Sequence, residues 1–270
     1  MTTATGTISK SNAPATPGLF LLPWISRSLE GLWLLAVFLV PLTFLDREYS
    51  LSEAQISYVE VPKVALLRAL AGLIAVLWSI EWSIKSNALQ GPFPPFSISA
   101  ITERLNPSKA VLAILGWVKV HPTRWLLLAA GLFFGSTVLS TVLSGSFQNS
   151  MWGEIPGQDG YSAYTIASYG IVFGVIATHL KSPAQLGRLL GAVVFMGILV
   201  GLYGIFQYYE HDLFNLTEST GGGTNRVTIF MGNAIFAAAV LSMTVPITLI
   251  AATIHFMSYA RRLATYWIYI

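Results

Sequence analysis

The chain contains no cysteine. Disulfides, and metal or redox sites built on thiolates, are therefore excluded. It is also short of charge: Asp, Glu, Lys and Arg make up 10% of its 270 residues, against roughly 25% in an ordinary soluble domain. A water-soluble fold of this length needs more charge to cover its surface. Strict alternation of apolar and polar residues is missing too, which excludes the strands of a membrane β-barrel. Nor is there an internal repeat of the kind that marks a transporter with related halves.

What remains is apolar and comes in long blocks. Hydrophobic residues are 54% of the chain, and the mean hydropathy is +0.65. In lipid the backbone must satisfy its own polar groups, so such blocks become helices. The expected fold is all-α, a polytopic transmembrane helical bundle of about six spans. A span takes about 20 apolar residues, and the blocks fall at 31–45, 64–84, 125–143, 161–180, 189–208 and 229–254. The first block is short and contains Pro41, which predicts a kink. Residues 1–17, rich in Thr, Ser, Ala, Pro and Gly, have the composition of a disordered segment. Residues 18–25 are too few to span and are expected at the interface with Trp24. This divides the chain into a disordered or interfacial N-terminal part, 1–28, and a transmembrane part, 29–270. Residues 108–120, with Lys109 and Lys119 near their ends, read as an interfacial helix or as half of a re-entrant hairpin. Residues 263–270 read as the start of a seventh span, as in a truncated member of a larger architecture.

The sparse charges orient the bundle. With the N-terminus in the cytoplasm, Arg47, Lys63 and Arg226 fall in outer segments and Arg68 within a span. The other eleven of the fifteen Lys and Arg lie inside. That asymmetry follows the positive-inside rule. Nine of the twelve acidic residues fall outside, which is only supporting. A multi-pass protein of the plasma (inner) membrane with both ends cytoplasmic is expected.

Candidate site residues cluster on the outer side. Arg226 is the only basic residue of the third outer loop, beside Gly221, Gly222, Gly223 and Asn225 and just before the last span. An arginine there holds a lipid diphosphate through paired N–H donors, or it anchors the helix by snorkelling to headgroups. Arg68 lies a turn and a half into the second span, close below Lys63. An arginine inside a span reads as functional by default, although snorkelling is easy at this depth. If both face the bundle, Lys63, Arg68 and Arg226 together line an outward-facing anion pocket. The second outer loop runs from Trp152 to Tyr161. Glu154 and Asp159 suit acid–base work or sugar hydroxyls, and Trp152 and Tyr161 suit stacking on a sugar ring; an aromatic belt with a polar turn fits the same residues. None of the four histidines pairs with another at metal-ligand spacing on one helix face. His211, between Glu210 and Asp212, reads as solvated. The glycine triplet lacks the Lys-Ser/Thr of a nucleotide loop. Neither a metal nor another cofactor is expected, and no nucleic-acid partner.

Several stretches resemble the O-antigen ligase and O-antigen polymerase superfamily of bacterial membrane proteins. Val61-Pro62-Lys63-Val64-Ala65-Leu66-Leu67-Arg68 is similar to the start of the second span in many members. Trp152-Gly153 followed by Gln158-Asp159-Gly160-Tyr161 is similar to a short turn in a following outer loop. Leu202-Tyr203-Gly204-Ile205-Phe206-Gln207-Tyr208 resembles the end of another span. Arg226 with Gly232-Asn233-Ala234-Ile235-Phe236-Ala237-Ala238 resembles an arginine before a Gly-Asn-Pro helix entry, with Ala234 in place of proline. The resemblance covers the N-terminal part of the family pattern. It implies transfer of glycan from a polyprenyl-diphosphate carrier to an acceptor at the outer face of the plasma membrane. Arg226 then stabilises the departing diphosphate as the catalytic cation, and Arg68, Lys63, Asn233 and Gln158 bind substrate. Membrane lipids and the polyprenyl-diphosphate-linked glycan are the implied partners. The family's large outer loop, with its catalytic histidine, has no counterpart in these residues, and His211 is not given that role. The general base that takes the acceptor proton is not visible. A non-catalytic membrane scaffold or truncated copy is the alternative. A transporter or flippase fits less well, because span centres carry few polar groups.

Overall fold

The computed structural model describes residues 19–45, 55–89, 116, 118–119, 124–153, 159–214, 216 and 226–268. Among them every regular element is helical and none is a strand. Among the described residues seven α-helices follow one another: α1 (Leu22–Leu42), α2 (Gln55–Leu89), α3 (Arg124–Val142), α4 (Phe147–Trp152), α5 (Ala163–His179), α6 (Pro183–Tyr208) and α7 (Ala234–Ile268). The 3-10 turns Leu19–Leu21, Asp159–Tyr161 and Ile229–Met231 introduce α1, α5 and α7. The all-α bundle expected from the sequence is what the chain forms.

Among the described residues, five segments are long and apolar enough to cross a membrane: Leu19–Leu42, Tyr58–Ser86, Arg124–Val142, Pro183–Tyr208 and Ala234–Ile254. The sixth expected span is the shorter apolar helix α5, with 17 residues. Its start is set by Ser162, whose hydroxyl accepts the Thr165 N–H at 3.4 Å and caps the helix. Many large apolar side chains point outward, among them Leu126, Leu132, Phe133, Val138 and Leu139 on α3. A helix apolar all round is one that lipid surrounds.

The first span lies earlier than its hydropathy predicts. Residues 22–25 are not a separate interfacial piece but the first turn of α1, which Pro23 opens. Ile25, Leu29, Trp33 and Ala36 recur at helical spacing on one buried face. That face packs on α2 and α5. Trp24, on the other side, is exposed. The helix continues through Pro41 and stops at Leu42. At the far end of the chain, the last helix begins at Ala234 and not at residue 229, because Gly232 takes a left-handed φ of 69°. No glycine or proline follows Pro246, so α7 runs past Arg261 and Arg262 to Ile268. Residues 263–268 thus extend this helix and do not open a new one.

The helices run up and down, so the bundle has two ends. α1 packs on α2 and α6, α2 on α5, α3 on α5, and α6 on α7. Small residues set the close approaches. A Cβ on Gly170 would lie 3.0 Å from the Phe134 ring, one on Gly174 3.0 Å from Trp78, and one on Gly197 2.9 Å from Thr244. Pro62 sits inside α2, and a proline there leaves the Tyr58 carbonyl without its helical donor. That carbonyl accepts the Leu45 N–H at 2.7 Å, which ties the end of α1 to the start of α2.

Candidate functional site

One end of the bundle carries the ends of α1 and α6 and the starts of α2, α5 and α7. Its centre is aromatic. The Phe230 ring stacks on Tyr203 at 4.5 Å and on Phe44 at 5.7 Å, and Phe44 meets Phe214 at 4.9 Å. The segment leading into α7 is laid over this cluster in an uncommon conformation. Ile229 has a φ of 54°, which a β-branched residue rarely adopts. Buried Gln207 holds it there: its Oε1 accepts the Ile229 N–H at 2.7 Å. The Gln207 Nε2 donates to Asp212 Oδ1 at 3.4 Å, and the Tyr203 hydroxyl donates to the same carboxylate oxygen. Thr228 adds a hydroxyl donated to the Leu216 carbonyl at 3.3 Å. A polar network beneath an aromatic cluster therefore fixes the segment that carries Arg226.

The three cations singled out in the sequence do not converge. Lys63 and Arg68 are five residues apart on one helix, which at about 100° per residue turns them roughly 140° from each other. Lys63 Nζ donates to the carbonyls of Thr43 at 2.7 Å and Phe230 at 2.5 Å. It thus fastens α1 and the turn before α7 to α2. Arg68 points toward α5. Its Nε donates to Thr165 Oγ1 at 2.9 Å, and its Nη2 to Ser162 Oγ at 2.8 Å and to the Trp152 carbonyl at 3.2 Å. The guanidinium also lies 4.8 Å from the centre of the Tyr164 ring. Arg226 is exposed, and among the described residues it makes no hydrogen bond or ion pair.

Among the described residues, two cavities at this end bear on the site. The first, of about 490 Å³, is lined by Gly201, Gly204, Ile205, Tyr208, Tyr209, Val227, Ile229 and Leu241. It lies between α6 and α7, and Val227, next to Arg226, forms part of its wall. The second, also of about 490 Å³, has Glu60, Lys63, Tyr161 and Tyr169 as its polar groups and Phe133, Phe134 and Phe236 among its apolar ones.

The other sequence candidates fall as follows. Asn233 caps α7, its side-chain oxygen accepting the Ile235 N–H at 2.9 Å. Gln158 and Glu154 lie outside the described residues, as do most of 108–120 and all of 1–18. The Trp152 ring meets Tyr164 edge-on at 5.3 Å, whereas Tyr161 lines the second cavity. His211 is exposed, with Nδ1 2.7 Å from the Tyr209 carbonyl.

The opposite end holds groups that the sequence did not single out. Glu81 is buried on α2. One of its oxygens takes a hydrogen bond from Lys85, and the other lies 2.6 Å from His179 Nε2 on α5. Beside it, Arg188 on α6 donates through Nε and Nη2, each at 2.6 Å, to Glu30 on α1. Gln185 reaches the second Glu30 oxygen at 3.2 Å. The one sequence signal was the Glu81–Lys85 spacing of four; the histidine lies 98 positions away.

No protein-family model, no curated protein and no solved structure matches the chain.

Proposed function

We propose that this chain is an O-antigen ligase- or polymerase-like protein, or the N-terminal part of one, that engages a polyprenyl-diphosphate-linked glycan at the outer face of the plasma membrane. The observation that carries this reading is Arg226. It stands exposed, and the next residue, Val227, forms part of the wall of an apolar cavity. A lipid diphosphate asks for that pairing: a planar fork of donors for the phosphates and an apolar recess for the chain. The eleven-to-three distribution of basic residues supports an N-terminus in the cytoplasm, with this end outward. In this reading Arg226 offsets the charge that grows on the departing diphosphate. Lys63 and Arg68 act from behind, by holding the segments around the site. Asn233 acts by starting α7, and the acceptor's general base lies elsewhere.

The same contacts favour a second reading. Lys63 and Arg68 donate to protein carbonyls and hydroxyls, as they would in a non-catalytic membrane scaffold. Arg226 separates the two. The parent chain should bind a short-chain polyprenyl diphosphate in nanodiscs, and Arg226→Ala and Arg226→Lys should each weaken binding and transfer roughly a hundredfold. That corresponds to the loss of about 2–4 kcal/mol expected for a preorganised anion donor. Because the chain has no cysteine, Arg226→Cys gives a single thiol that a membrane-impermeant reagent should label from outside the cell. Parent-like binding by the Lys and Ala variants, or a thiol protected in intact cells, would remove the ligase reading.

A further inference from the structure

The second cavity differs chemically from the first. Among the described residues Glu60 makes no hydrogen bond or ion pair, although Lys63 is one turn away on the same helix. The Lys63 ammonium is turned instead to the carbonyls of Thr43 and Phe230. Glu60 is half-buried and lines a space of about 490 Å³ with aromatic walls. A carboxylate withdrawn from water without a donor is costly, and a ligand with donor groups relieves that cost.

The charges define the ligand. A carboxylate and an ammonium in one cavity cancel, so the site favours neither a cation nor an anion. Lys63 repels the amine that an aromatic box would otherwise attract. Glu60 repels a phosphate. A neutral molecule with several hydroxyls fits both groups, donating to Glu60 and accepting from Lys63 or from the hydroxyls of Tyr161 and Tyr169. The rings of Phe133, Phe134 and Phe236 add apolar walls, which suit a ligand with C–H faces between its hydroxyls. A pyranose has that combination of surfaces.

We propose that this cavity is a saccharide subsite in which Glu60 accepts hydrogen bonds from sugar hydroxyls, with Tyr161 and Tyr169 as further polar contacts. The choice of a sugar over another polyhydroxylated ligand rests on the glycan reading above. Saturation-transfer NMR on the full chain in nanodiscs, with the methyl glycosides of glucose, galactose, mannose and N-acetylglucosamine, tests it. At least one glycoside should bind the parent. Glu60→Gln and Glu60→Ala should weaken that binding about tenfold or more, as expected for hydrogen bonds to a charged group. Both should unfold close to the parent's temperature, since among the described residues Glu60 makes no hydrogen bond or ion pair. Arg188→Ala, at the opposite end, should bind like the parent. Binding by none of the four glycosides overturns the subsite, and so does equal binding by parent and both Glu60 variants. So do contacts from lipid acyl protons to Tyr169 in place of glycoside contacts. Binding of the sugar-free polyprenyl diphosphate, measured separately on the parent and on the Arg226 variants, decides the ligase reading whichever way the glycosides fall.

Discussion

At one end of the bundle, acids meet bases. Glu81 is closed by Lys85 and His179, and Glu30 by Arg188 and Gln185. At the other end, the contacts of Lys63 and Arg68 among the described residues are with neutral groups. Lys63 and Arg68 donate to carbonyls and hydroxyls, while Glu60 and Arg226 have no partner among the described residues. Both ends connect several helices, so both contribute to the fold. They differ in what they leave available. A carboxylate already bound by cations has little left for a ligand, whereas an unpaired cation beside an apolar recess, or an unpaired carboxylate in an aromatic one, can still bind one. The aromatic end also contains the positive φ of Ile229, a conformation that costs on the order of 1–3 kcal/mol and persists only when its surroundings hold it. Among the described residues, the ion-paired end closes its charges between helices, and the aromatic end leaves Glu60 and Arg226 open.

The sharpest way to break this contrast is to open the closed end. Glu81→Ala leaves His179 facing a void in the bundle and removes one polar link from α2 to α5. Removing one partner of a buried pair costs about 3 kcal/mol or more. A clear fall in thermal unfolding temperature in detergent is expected, with polyprenyl diphosphate binding retained at temperatures where the variant is folded. A variant as stable as the parent would mean that the buried pair does not hold the bundle.

Gln207→Leu acts at the other end and should separate positioning from folding. It leaves the Ile229 N–H without its acceptor in a buried site, at a cost of about 1–3 kcal/mol. It also releases the segment that carries Arg226. The expected result is weaker polyprenyl diphosphate binding than the stability loss explains, with a residual sensitivity to Arg226→Ala that is smaller than in the parent. Full binding by a folded Gln207→Leu chain would show that Arg226 needs no fixed platform.

The smallest effect is expected for Arg188→Ala. Arg188 is more than half exposed, although its partner Glu30 is not. Exposed pairs contribute about 0.2–1 kcal/mol, and Gln185 still reaches Glu30 after the change. A larger loss would mean that the Glu30–Arg188 pair, and not Glu81, anchors this end.

Helix α3 could be read almost residue for residue, because lipid-length apolar runs are a local property. The starts of α1 and α7 could not. The first depends on Ile25 finding α2 and α5, and the second on a left-handed glycine that follows a strained isoleucine. The candidate site was legible as a set of residues and not as an arrangement. Lys63, Arg68 and Arg226 stood out as cations on the polar edge of apolar blocks, but the acceptors of Lys63 and Arg68 lie between 20 and 167 positions away. Glu60 was counted among acidic loop residues, since nothing near it in the chain indicates a cavity walled by α3, α5 and α7.

By itself, then, the sequence determined the solvent, the class of fold and the approximate spans. Each follows from how apolar a stretch is and how long, and neither property depends on a distant partner. Tertiary structure decided which charges are closed and which are open. A side chain's direction follows from its helical phase, but what it meets there is set by helices that arrive from elsewhere in the chain. The 140° between Lys63 and Arg68 was already fixed by their spacing on one helix. That one meets carbonyls and the other a capped helix start was fixed only when the bundle closed.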